Sequence, residues 1–145
     1  MTINKKDSLK MDITVREYDC LNVIEKLNVG NWPAKVSDIS KNMKVKPPTV
    51  ISYIRKLTKN DYVLKGPGGY KITKKGDMLI KKVTRAHRIM ETLFVKEGTS
   101  LSMACTQAKK FQLLADNDFV ECICKTLNHP TQCPHGLPIP NGGDD

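Results

Sequence analysis

Thr49, Ser52, Arg55, Lys56 and Lys59 recur at intervals of three and four, so on a helix they share one face with hydroxyls near its start and cations beyond. Hydroxyls hydrogen-bond base edges or phosphates, and cations meet phosphates, so such a face suits duplex DNA. Pro48 offers an apolar surface to a thymine methyl, and Lys46, Lys65 and Lys71 stand in the flanking segments. The other reactive groups are five cysteines (Cys20, Cys105, Cys122, Cys124, Cys133) and three histidines. An odd count without C-x-x-C spacing predicts buried thiols in a reducing compartment, not bridges. Cys122 and Cys124 point to different faces of a helix, which suits bridging between subunits and keeps a thiol redox sensor, also open to Cys105, as an alternative. Cys133 and His135, with His129 nearby, are zinc donors by type. The prolines around them fix the backbone and a fourth ligand is not evident, so a packed C-terminal strap is expected there. No nucleophile, base and orienting group form a set, which argues against an enzyme.

The elements that must position these groups are legible. Thr14-Val15-Arg16-Glu17 is a capping box opening a helix over about 14–28, with Tyr18, Leu21, Ile24 and Leu27 apolar and Gly30 with Pro33 ending it. A short helix is predicted over Ser37 to Met43, capped by Ser37, then a turn at Lys44 to Lys46. Pro47-Pro48 starts a third helix whose inward stripe is Val50, Tyr53, Ile54 and Leu57. Tyr62 to Lys65 and Tyr70 to Ile72 are predicted strands around Gly66-Pro67-Gly68-Gly69, forming a wing. Thr73 caps a long helix to about Phe94, and shorter helices follow over about 101–114 and 118–127. The chain is therefore expected to be mainly α with a small β wing. A flexible basic N-terminus (1–11), a winged helix-turn-helix domain (12–75), an all-helical dimerisation domain (76–140) and a disordered tail (141–145) make up its organisation.

At 145 residues there is room for one or two small domains. The net charge of +9 is uneven: residues 1–76 hold 16 Lys and Arg against 7 Asp and Glu, and residues 77–145 hold 8 against 8. A basic half joined to a neutral half suggests a polyanion-binding head on a partner-binding body. No stretch has the length of a membrane span or a signal peptide, so a cytoplasmic protein is expected.

Val36-Ser37-Asp38-Ile39-Ser40, Val45-Lys46-Pro47-Pro48-Thr49-Val50, Lys71-Ile72-Thr73-Lys74-Lys75-Gly76, Arg85-Ala86-His87-Arg88 and Cys133-Pro134-His135-Gly136-Leu137-Pro138-Ile139-Pro140 resemble the diphtheria toxin repressor family, the iron- and manganese-dependent regulators. The resemblance spans about residues 12–140. It implies a homodimer on an inverted-repeat DNA operator, with a divalent metal setting the DNA-binding form.

The resemblance also implies where ligands belong. Asp19 matches the first-helix ligand, and His87 with Glu91 matches the pair on the helix after the wing. The cluster on the next helix falls on Lys109, Gln112 and Leu113, and no His or Glu lies between Cys105 and Val120. Protonated lysine and leucine cannot ligate, so metal dependence is expected to be reduced or lost. Cys105 falls where the family's ancillary site has a histidine, so His87, Glu91 and Cys105 remain as a reduced site for Zn, Fe or Mn. A hydrogen bond beside a thiol, with no metal at all, is the plainer alternative. A salt bridge from Lys109 to Asp19 replacing the metal is a further expectation, against a simply solvated lysine.

Overall fold

The computed structural model describes residues 13–142. The expected flexible N-terminus and the last three residues of the tail lie outside the described residues. The elements are α1 (Val15–Leu27), α2 (Val36–Met43), α3 (Pro47–Lys59), β1 (Val63–Gly66), β2 (Gly69–Ile72), α4 (Lys74–Lys96), α5 (Leu101–Phe111) and α6 (Asn117–Thr126). Two compact units divide between Ile80 and Lys81, inside α4.

In the first unit, the capping box forms as the sequence requires. The Thr14 hydroxyl accepts from the Glu17 amide at 3.2 Å, and a Glu17 carboxylate oxygen accepts from the Thr14 amide at 3.0 Å. Leu21 and Ile24 of α1, Ile39 of α2, Val50, Ile54 and Leu57 of α3, and Val63 of β1 are each at most 3% exposed. Burying each such side chain is worth about 1.5–3 kcal/mol, which is what holds α1, α2 and α3 together. The expected Ser37 cap is not made: α2 begins at Val36, Lys35 is its N-cap, and no side chain caps it. Pro47 and Pro48 do open α3, where the missing amide hydrogens have no helical partner anyway.

The wing is an antiparallel pair with Val63 opposite Ile72 and Gly66 opposite Gly69, one residue displaced from the predicted strands. Ala34 and Tyr70 exchange backbone hydrogen bonds of 2.8 and 2.9 Å, which docks the segment after α1 onto β2. Gly69 has a φ of +147°, and a Cβ there would sit 2.4 Å from the Ala34 carbonyl oxygen, so only glycine permits this approach.

The second unit is built from α4 beyond Lys81, with α5, α6 and the strap. Thr73 caps α4, accepting from the Gly76 amide at 3.1 Å. Ala86, Ile89, Met90, Ala108, Val120, Ile123, Cys124, Cys133 and Ile139 share one core. The strap is irregular, as its prolines demand, yet ordered. Cys133 and Gly136 close a turn at 2.8 Å, and the Cys133 and Ile139 amides donate to Leu137 and Thr131 at 2.9 Å each. Three cysteines are buried as expected (Cys20, Cys124, Cys133), but Cys105 is half-buried and Cys122 exposed, because α5 and α6 turn those positions away from the core.

Candidate metal centre and nucleic-acid interface

The side chains of Ser52, Arg55 and Lys56 on α3 are exposed and Thr49 is half-buried, while Val50, Ile54 and Leu57 on the other face are buried. Lys46, Pro48 and Lys65 are exposed and Lys71 is half-buried. All eight candidate DNA-contacting residues therefore have accessible surface, but two cations are already engaged. The Lys56 ammonium lies 3.1 Å from the carboxylate of Glu17, a residue 2% exposed. The Lys71 ammonium lies 2.8 Å from the Asn31 side-chain oxygen.

The residue that fixes the wing carries no local signal of that role in the sequence. Asn28 ends α1, and its amide nitrogen donates to the Trp32 and Tyr70 carbonyls at 2.8 and 3.1 Å. Its oxygen accepts from the Ile72 amide at 2.8 Å. Three bonds from one side chain thus tie the end of α1, the loop and β2 together. The helix-ending Gly30 was the available signal, but nothing in the spacing pointed forty residues ahead.

In the second unit the centre is Glu91, 1% exposed on α4. One carboxylate oxygen lies 3.1 Å from His87 Nε2, and the other lies 2.6 Å from His135 Nδ1. Helical spacing of four brings His87 to Glu91; the strap brings His135. His87 Nδ1 is 2.9 Å from the Gln112 side-chain oxygen, which as an acceptor assigns the hydrogen to Nδ1. His87 Nε2 then faces both Glu91 and the Cys105 sulfur, at 3.7 Å, and a carboxylate and a ring lone pair attract only through a shared cation, a proton or a metal ion. The donor atoms of His87, Glu91 and Cys105 lie within 4.8 Å of one another, and so do those of Glu91, Cys133 and His135. Nitrogen, oxygen and sulfur donors around a buried carboxylate fit Zn2+ or Fe2+. The third candidate donor beside Cys133 and His135 is Glu91, whereas His129 lies 3.6 Å from the Cys124 sulfur instead.

The other cluster does not fit a metal. Lys109 is exposed, Leu113 is buried, and Gln112 is occupied by His87. Asp19 is half-exposed and lies 3.7 Å from Arg16.

The second unit also carries an apolar groove of about 480 Å³. Leu93, Phe94, Phe111, Leu114 and Phe119 line it; Leu114 is 78% and Phe119 58% exposed.

A winged helix-turn-helix followed by a helical unit with a buried mixed-donor centre defines the class of metal-dependent transcriptional regulators. Residues 14–68 match the iron-dependent repressor N-terminal DNA-binding domain, and residues 73–141 match the iron-dependent repressor metal-binding and dimerisation domain. The chain belongs to this diphtheria toxin repressor family, as the sequence resemblance implied. It is similar to a hypothetical protein from Sulfolobus solfataricus, with a TM-score of 0.84 and 32% identity over 89% of this chain and 100% of that one. The manganese regulator SloR gives a TM-score of 0.74 and 31% identity, over 91% of this chain and 62% of its own. ScaR with bound Zn2+ gives 0.75 and 28%, over 88% and 61%. The chain thus spans about three fifths of these two regulators. No curated protein matches significantly. No helix among the described residues is long and apolar enough to cross a membrane.

Proposed function

We propose that the protein is a homodimeric repressor in the cytoplasm that binds an inverted-repeat operator, with a divalent transition metal at Glu91 favouring the DNA-binding form. The observation that carries this reading is a carboxylate at 1% exposure with an imidazole on each oxygen and a thiol beside each imidazole. A buried carboxylate is costly unless a cation compensates it, and this donor set is one a metal ion satisfies. When bound, the metal supplies positive charge that joins α4, α5 and the strap. On one Glu91 oxygen, His87 from α4 and Cys105 from α5 would hold it; on the other, Cys133 and His135 from the strap would. Metal dependence is narrower than in a two-site regulator, because Lys109 and Leu113 cannot ligate.

Recognition is assigned to Thr49, Ser52 and Pro48 at base edges, and to Lys46, Arg55, Lys56, Lys65 and Lys71 at phosphates. Two-fold symmetry is supplied by a second copy covering the apolar groove, since exposed aromatic side chains of this kind seek a partner. Operator affinity measured in chelator and then with added Fe2+, Mn2+ or Zn2+ tests the reading. Tighter binding with at least one metal supports it; unchanged binding, with no metal taken up, overturns it.

A further inference from the structure

We infer that Arg85 and Arg88 are positioning residues for the metal centre: they clamp the strap to α4 so that Cys133 and His135 meet Glu91. The inference rests on the metal reading above and concerns two side chains that donate nothing to the ion.

The strap has few means of holding its register. Of its two candidate donors, Cys133 is buried in the core, but His135 is 40% exposed at its side chain and, among the described residues, its ring is hydrogen-bonded to Glu91 alone. The turn that carries them closes at Gly136, whose φ of +78° needs glycine. The returning arm carries Pro138 and Pro140, which lack amide hydrogens and so cannot anchor themselves as donors. The Ile139 amide and the Leu137 carbonyl are used within the strap, so towards α4 the groups offered are the carbonyls of Pro138 and Pro140, and both are taken by arginine. Arg88 Nη1 donates to the Pro138 carbonyl. Arg85 Nη1 donates to the Pro140 carbonyl at 2.8 Å.

The bond at Pro138 sets the register of the donors. Pro138 is bridged to Gln132, the residue before Cys133, so fixing one arm fixes the other. Arg85 is itself fixed: its Nη2 and Nε lie 2.6 and 3.1 Å from one oxygen of Glu121 on α6, and its side chain is 13% exposed. A planar guanidinium can serve a carboxylate and a carbonyl together, which an ammonium on a flexible stem does poorly. Arg85 and Arg88 also sit on the same helix as His87 and Glu91. One rigid element therefore carries two of the donors and the clamp that brings the remaining strap donors to them.

The test is a Zn2+ titration of the full chain against a chromophoric chelator, repeated with Co2+ to read the thiolate charge-transfer band. Arg88→Ala is expected to weaken Zn2+ about 10-fold, and Arg85→Ala by 10- to 100-fold, the range typical of groups that orient ligands. Arg88→Lys should recover part of the loss. If the arginine acts through the strap donors, Arg88→Ala combined with His135→Ala should bind no more weakly than His135→Ala alone. In chelator, amide exchange at Cys133 and Ile139 should quicken in Arg88→Ala while exchange in the buried turns of α4 holds, which separates a loosened strap from a failed fold. Wild-type affinity for the clamp variants, or additive losses in the double variant, would overturn the inference. A wild-type chain that takes up neither Zn2+ nor Co2+ would overturn the metal reading itself.

Discussion

His135 Nδ1 lies 2.6 Å from a carboxylate oxygen of Glu91, a residue 44 positions earlier in the chain. That contact turns two separate motifs, the Arg-x-His-Arg run on α4 and the Cys-Pro-His-Gly run of the strap, into one centre. Glu91→Gln keeps the shape and removes the charge, so it should lower Zn2+ affinity by on the order of 100-fold or more, as expected for a ligand rather than a supporting group. Competition with a chelator measures this. Because the thiols must lose protons to ligate, wild-type affinity should also fall as the solution is acidified.

Asn28→Ala removes three hydrogen bonds and leaves the Ile72 amide and the Trp32 carbonyl to find new partners, while the Tyr70 carbonyl keeps the Ala34 amide. The expected cost is about 1–3 kcal/mol of stability, read from urea denaturation. Operator affinity should drop with a shallower salt dependence, because the wing cation Lys71 is no longer held in place.

Thr49→Ala or Ser52→Ala should narrow the preference for operator over random DNA, whereas Lys71→Ala should weaken both alike and reduce the salt slope by roughly one. Gel-shift titrations at several salt concentrations separate the two effects. Equal behaviour of the two classes of variant would refute the assignment of α3 to base edges.

Leu114→Asp and Phe119→Asp place charges in the apolar groove at positions that are already 78% and 58% exposed. Folding stability of the single chain should change little, and sedimentation at micromolar concentration should show dissociation of the dimer.

Burial first, then the neighbouring Asp19 and Glu17 carboxylates, pushes the Cys20 thiol up from its ordinary 9.0 to about 12. A folded-state value above the unfolded one means that the native chain holds this proton more tightly. The resulting stabilisation is complete below about pH 9 and is lost as the pH rises towards 12. Wild type should therefore lose more stability over that window than Cys20→Ala does, as followed by thermal melts. At neutral pH a thiol reagent should modify exposed Cys122 and spare Cys20.

The head was legible because its signals are local. A capping box, prolines at a helix start and a Gly-Pro-Gly-Gly turn each act within a few residues, and the elements formed within about one residue of where they were expected. The periodicity predicts α5 to run to Leu114, but the helix ends at Phe111; of the two leucines beyond it, Leu113 is buried and Leu114 is an exposed groove position. His87, Glu91 and Cys105 could be gathered from helical spacing and the family resemblance. The role of the strap could not, since a proline-rich run has no periodicity to report its register, and the partner of His135 lies on another element. Asn28 was silent for the same reason: its partners in the wing are forty-two and forty-four positions away.

The pairing of Lys56 with the buried Glu17 bears on how such a protein finds its site. Every phosphate met by a free cation releases counterions and lengthens the time spent on random sequence. A cation already paired within the head brings less of that grip to a phosphate than a free one does. Counting the lysines of the basic half therefore overstates how firmly it holds arbitrary DNA. A weaker hold shortens each stay on the wrong sequence, and the search for the right one proceeds faster.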